Sequence, residues 1–177
     1  MRSRQFLTGL ALAAGMAMAP FGSSAHAQTS ADRVLAQSGG GFNVSSVELL
    51  IDRGDAAISA GNLGEARKYY DDARSASKQL LGFYRDLSGA FRGLDARIPR
   101  EMDVKGREAL GLLAQANLRL AALFRRQNQP EVAVPVLVEV VKLMTPSQVE
   151  GQKAYQSLVE LGFVETPFAG AKSMPSN

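Results

Sequence analysis

The 177-residue sequence predicts an all-α fold of about five helices arranged as antiparallel hairpins. Three observations predict it. From Ser45 onward, apolar residues recur with the 3.6-residue period of a helix. Stop and start signals fall at Gly61-Asn62, Ile98-Pro99, Gln127-Asn128-Gln129, Thr145-Pro146 and Gly162. No stretch of useful length alternates apolar and polar residues as a half-buried strand would.

The first segment has a different character. Arg2 and Arg4 give a positive start, Phe6 to Ala19 is apolar, and Ala25-His26-Ala27 places small residues around a cleavage point. This is the layout of a secretory signal peptide over residues 1–27. The uncharged run of about 14 residues, closed by Pro20, is shorter than the roughly 20 a spanning helix needs. Ser3 stands where a twin-arginine signal would carry its first arginine, so general secretion is expected. The chain has no Cys to carry an N-terminal lipid, and the product after cleavage is expected to be soluble. The expected compartment is the periplasm, or the thylakoid lumen in a cell with internal photosynthetic membranes.

Cleavage after Ala27 removes the chain's only His and leaves 18 basic residues against 17 acidic, a net charge of +1. So small a charge lacks the field that draws phosphate backbones, and nucleic acid is not an expected partner. With no Cys and no Trp in the chain, stability must come from apolar helix packing without disulfides.

Residues 28–44, with Ser38-Gly39-Gly40-Gly41, read as a flexible leader to a helical domain over 45–165. Ser45 and Glu48 have capping-box spacing, and Val47, Leu50, Ile51 and Ile58 form one face of a first helix. A second helix starts near Leu63. Ala66, Tyr69, Tyr70, Ala73, Leu80, Tyr84, Leu87, Phe91 and Leu94 keep its period until Ile98-Pro99, with bending or fraying expected beyond Gly82 because Gly82, Gly89 and Gly93 weaken it. A third helix fits residues 100–127, burying Leu110, Leu113, Asn117, Leu120 and Phe124. Asn128 and Glu131 are spaced to cap a fourth helix that runs to about Met144, with Pro130 in its first turn and Pro135 as a kink point. Thr145-Pro146-Ser147-Gln148 signals the start of a fifth, which buries Val149, Tyr155, Leu158 and Leu161 and ends at Gly162. The tail 166–177, with Pro167 and Pro175, is expected to be loose.

The stretch from Leu50 to Ala73 resembles one tetratricopeptide (TPR) unit. Gly54 falls on the family's small residue where two helices cross, Gly61 in the turn, and Ala66, Tyr70 and Ala73 on the small, aromatic and small positions of the second helix. Leu50, Arg53, Ala57 and Lys78 depart from the family's Trp, Leu, Tyr and Pro. A weaker copy lies 67 residues on, where Ala121, Phe124, Ala133, Leu137 and Val140 occupy the corresponding positions. The resemblance covers about half of the chain after cleavage and leaves two architectures open, a TPR-like stack or an irregular helix bundle. It implies a non-enzymatic module that binds another protein or peptide.

Without His or Cys after cleavage, Ser-His-Asp triads, Cys-His nucleophiles and ordinary zinc sites are excluded, and no cofactor or metal is expected. Asp52 and Asp55 are the nearest approach to an acid pair, and Tyr69-Tyr70-Asp71-Asp72 reads as core tyrosines beside surface acids. Arg67, Arg74, Lys78, Arg85 and Arg92 fall within about 40° on a helical wheel of the second helix. With Tyr69 they make the expected partner-binding residues, an edge suited to an acidic protein segment or to peripheral contact with an anionic membrane. Two alternatives stand beside this: a structural subunit completing its core as a homo-oligomer, and a carboxylate enzyme acting on envelope polysaccharide.

Overall fold

The computed structural model describes residues 42–169, and the described residues contain five α-helices and no strand. The signal-peptide segment, most of the leader and residues 170–177 lie outside that range.

Helix α1 spans Val44–Ser59. Its cap is Asn43, in extended backbone, whose Oδ1 accepts the Ser46 N–H at 2.8 Å and the Ser46 hydroxyl at 3.0 Å. The Ser45–Glu48 capping box is therefore not used; Ser45 already lies inside the helix, and the better-placed amide before it takes the role. Val47, Ile51, Gly54 and Ala57 are buried, while Leu50 and Ile58 flank that stripe.

Helix α2 spans Leu63–Ala90, about 42 Å at 1.5 Å per residue. It runs unbroken through Gly82 on a buried stripe of Ala66, Tyr70, Ala73, Ser77, Leu80, Tyr84 and Ser88. It stops at Ala90, earlier than the proline suggests, and Gly93 takes φ +86 in the following turn. Leu94, expected on the core face, is 80% exposed because the chain has already left the helix. Pro99 instead lies in the first turn of α3, Arg97–Arg126, where a missing N–H costs nothing.

Helix α3 is the hub of the fold. It packs along α2 as an antiparallel partner and also meets α1, α4 and α5, which explains its wide buried face from Met102 to Phe124. Leu113, Asn117, Leu120 and Phe124 are buried as expected; Leu110 is only partly so.

Helix α4 spans Pro130–Met144 and continues through Pro135, which faces solvent. Asn128 does not cap it. At φ 57 Asn128 is the left-handed residue that ends α3, and Gln129 stands before α4 without a side-chain cap bond. Likewise Thr145, at φ 51, forms a turn with a 2.6 Å contact to the Ser147 hydroxyl, and α5 begins only at Val149, running to Glu160. A Cβ on Gly151 would overlap the Thr145 carbonyl, so a glycine is required where this corner folds back on α5. Gly151, Ala154 and Leu158 are the buried face of α5, whereas Val149 is 44% exposed. Beyond α5, the Tyr155 hydroxyl donates to the Thr166 carbonyl at 2.7 Å and its ring meets Phe168 edge-on. The described start of the tail is thus fastened to α5.

Three corners share one hydrogen-bond pattern. After α1, the N–H groups of Ala60, Gly61 and Asn62 donate to the carbonyls of Ala56, Ile58 and Ala57. The same three bonds recur 67 residues later around Asn128 and a further 34 residues on around Gly162, each with a left-handed central residue. The small residues aligned with these corners, Gly54, Ala66, Ala121 and Ala133, are all buried.

The core has two parts. A proximal cluster draws on all five helices, including Ala66, Tyr70, Leu120, Phe124, Leu137 and Leu158. A distal cluster is built by α1, α2 and α3 alone, with Val47, Ile51, Leu80, Tyr84, Met102 and Leu112.

Candidate functional site

The basic stripe on α2 is divided by its surroundings. At its proximal end Arg67 lies 3.6 Å from Asp71 and over the Phe124 ring, 5.2 Å from the centroid. Next along the helix, Arg74 and Lys78 both pair with Glu139 of α4, the Lys78 contact being 2.7 Å. Burial pushes the Glu139 carboxyl up, but the hydrogen bonds and charges of Lys78 and Arg74 outweigh it and hold the group below its ordinary range. Tyr69, the remaining expected contact, donates to Glu65 at 3.2 Å and lines a small concavity at the α1–α2 corner. These side chains are engaged within the molecule.

A second polar tie sits beneath the crossing of α1 and α2. The helices approach so closely that a Cβ on Gly54 would overlap the Tyr70 ring. Tyr70 is buried, and its hydroxyl donates to Asp55, whose two oxygens also accept the Arg119 Nε–H at 2.9 Å. Burial raises the Asp55 carboxyl, but Arg119 and Tyr70 together bring it below its usual value; burial and the neighbouring carboxylate push the Tyr70 phenol well above its own. Asp55 therefore ties three helices together as an anion. Asp52, its expected companion, is exposed. Among the described residues no group of three or more acids, His or Cys could hold a metal ion, and no helix is long and apolar enough to cross a membrane.

The distal end of the stripe is different. Arg85 and Arg92 line a cleft of about 290 Å³ between α2 and α3. Leu81, Tyr84, Met102 and Leu110 supply apolar lining, and Arg107 of α3 adds a third guanidinium. The cleft contains one carboxylate, Asp103, which accepts the Ser88 hydroxyl at 3.0 Å. Arg85, Arg92 and Arg107 are exposed and have no ion-pair partner among the described residues. The helix period places most of them here: Leu81, Arg85 and Ser88 follow one another at three or four residues on α2, as do Asp103, Arg107 and Leu110 on α3, whereas Arg92, expected on the second helix, lies in the turn just beyond its end. An apolar bed under unpaired guanidiniums suits a ligand that is itself apolar on one side and anionic at its edges.

Arg85 and Arg92 are among the residues expected from the sequence, whereas Arg107, Ser88 and Asp103 are not. A usable signal existed, since stepping back by seven from Phe124 through Asn117 and Leu110 reaches Asp103 on the same face of α3. Comparison with protein-family models, with curated proteins and with solved structures returns no match.

Proposed function

We propose that this chain is an exported, non-enzymatic, TPR-like helical module that holds a segment of another protein in the distal cleft between α2 and α3. The observation that carries this reading is the set of three unpaired guanidiniums, Arg85, Arg92 and Arg107, around an apolar bed. The TPR-like part rests on the corner pattern that recurs after 67 and then 34 residues, the latter being the length of one TPR unit. The tight passage of Gly54 against Tyr70 supports it as well. Export, with the periplasm as destination, rests on the signal-peptide layout of residues 1–27.

The test is a photo-crosslinking residue at Gly89, an exposed position near the cleft where an added Cβ meets nothing, with Gly64 at the far end of α2 as control. Capture of a protein from the exported fraction at Gly89, but not at Gly64, is the expected result, and it should vanish in Arg85→Glu/Arg92→Glu. Equal capture at both positions counts against the reading. Intact mass of the secreted product should show loss of residues 1–27.

One observation favours a structural subunit instead: Phe42 and Phe83 make an edge-on pair at the distal end while both stay more than two-fifths exposed. Light scattering decides between the two, since a subunit of this kind forms a stable dimer without any partner.

A further inference from the structure

Within the proposed capture role, we infer that the cleft takes an acid-bearing amphipathic α-helix of a partner protein, laid in line with α4 along the α2–α3 pair. The molecule contains its own precedent. Helix α4 packs on α3 and offers Glu139 to Arg74 and Lys78 of the same stripe that continues to Arg85 and Arg92. On α3, the heptad step takes Phe124 to Asn117 and Leu110, and Ala121 to Ala114 and Arg107. The cleft-lining residues thus lie on the face that α4 covers farther along.

Helix α4 ends at Met144, one and a half turns beyond Glu139, and the Thr145 corner turns the chain into α5. From there outward, no helix among the described residues is laid over the arginines and the apolar bed of the α2–α3 pair. A helix suits this opening because Arg85, in the last turns of α2, and Arg92, in the turn that follows it, both line the cleft, so carboxylates spaced along one face of a partner helix can meet both. Arg107 approaches from the opposite wall and takes an acid on the other flank, while leucine-like side chains meet Leu81, Met102 and Leu110. A flat anionic membrane could reach the guanidinium ends but not the apolar bed between the helices. The segments outside the described residues are poor occupants, since residues 1–41 hold the single acid Asp32 and residues 170–177 hold none.

The probe is a fluorescent helical peptide of about 15 residues, built from Ala and Leu with Glu at two-turn spacing, beside a twin in which Gln replaces every Glu. Anisotropy with the full chain at low salt should show binding of the Glu peptide alone, weakened at least tenfold in Arg85→Glu/Arg92→Glu/Arg107→Glu. A peptide carrying Lys at those positions should recover binding to that variant, which also shows that the variant is folded. Reversing the exposed Arg53, Lys142 and Lys153 changes net charge equally and should leave the affinity unchanged. The inference is overturned if both peptides bind alike, if neither binds, if the two triple variants lose affinity equally, or if vesicles of anionic lipid compete as well as the Glu peptide. Should the peptide fail while the Gly89 cross-link persists, the occupant is wrong and the capture role stands; loss of both removes both.

Discussion

The α2–α3 pair has a crowded end and a bare one. At the crowded end all five helices feed one apolar cluster, and each ionic side chain of the α2 stripe has found a partner: Arg67 with Asp71, Arg74 and Lys78 with Glu139. At the bare end, among the described residues, only α1 joins the pair, and Arg85, Arg92 and Arg107 stay unpaired around a cleft. The stripe keeps one period in the sequence from Arg67 to Arg92, although α2 ends at Ala90, so sequence periodicity cannot separate its halves. What separates them is where α4 stops. A basic stripe stays open to outside charge only along the stretch that the protein's own acids leave uncovered.

The sharpest way to break this comparison is a pair of glycine substitutions. Gly54→Ala, at the crowded end, drives a methyl into the buried Tyr70 ring and should cost about 2–3 kcal/mol. Gly106→Ala, at the bare end, brings its Cβ only to 3.9 Å from Leu81 and Tyr84 and should gain up to about 1 kcal/mol from helix propensity. Urea midpoints read both, and a loss at Gly106 as large as at Gly54 would show that the distal packing is equally tight.

A smaller effect is expected from the acidic ties. Asp55 and Glu139 both sit below their ordinary values of 3.8 and 4.5. Their contribution is complete above those unfolded-state values and is lost as the pH falls through the lower folded-state ones. The chain should therefore lose stability below roughly pH 4, and Asp55→Asn/Glu139→Gln should flatten that decline while costing about 1–2 kcal/mol at neutral pH. An unchanged acid limb in urea titrations would remove these ties from the account of the crowded end.

The smallest effect concerns Asn117, whose amide is buried in α3 without a hydrogen-bond partner among the described residues. Replacing it with the similarly sized Leu removes an unmet desolvation cost and should add about 1 kcal/mol. A thermal midpoint that falls instead would mean the amide has a polar role at the crowded end.

Much of the fold is legible because it follows from short-range rules. Tyr70, Ala66 and Gly54 share the helical period, and Gly61 and Gly162 mark corners that only a residue tolerant of positive φ can turn. Helix starts read less well. Asn43, Asn128 and Thr145 are all cap-forming types, yet one caps a helix, one ends a helix and one turns a corner. Asn43 and Asn128 are the same residue type in different roles; what separates them is backbone φ, −150 at Asn43 and 57 at Asn128, which residue type does not reveal. The candidate site was half visible for the same reason. Arg85 follows the period of α2 and Arg92 the turn directly after it, but the pairing of Arg74 with Glu139 joins residues 65 positions apart and emerges only when α4 folds back.

The length of α2 and α3 has one further consequence. By projecting past α4 and α5, the pair carries its arginines on a mast, away from the part of the molecule that does most to hold it folded. Altering the exposed arginines at the tip need not loosen the base, and strengthening the base need not disturb the tip. In the proposed role, affinity and durability are then adjusted by separate sets of residues.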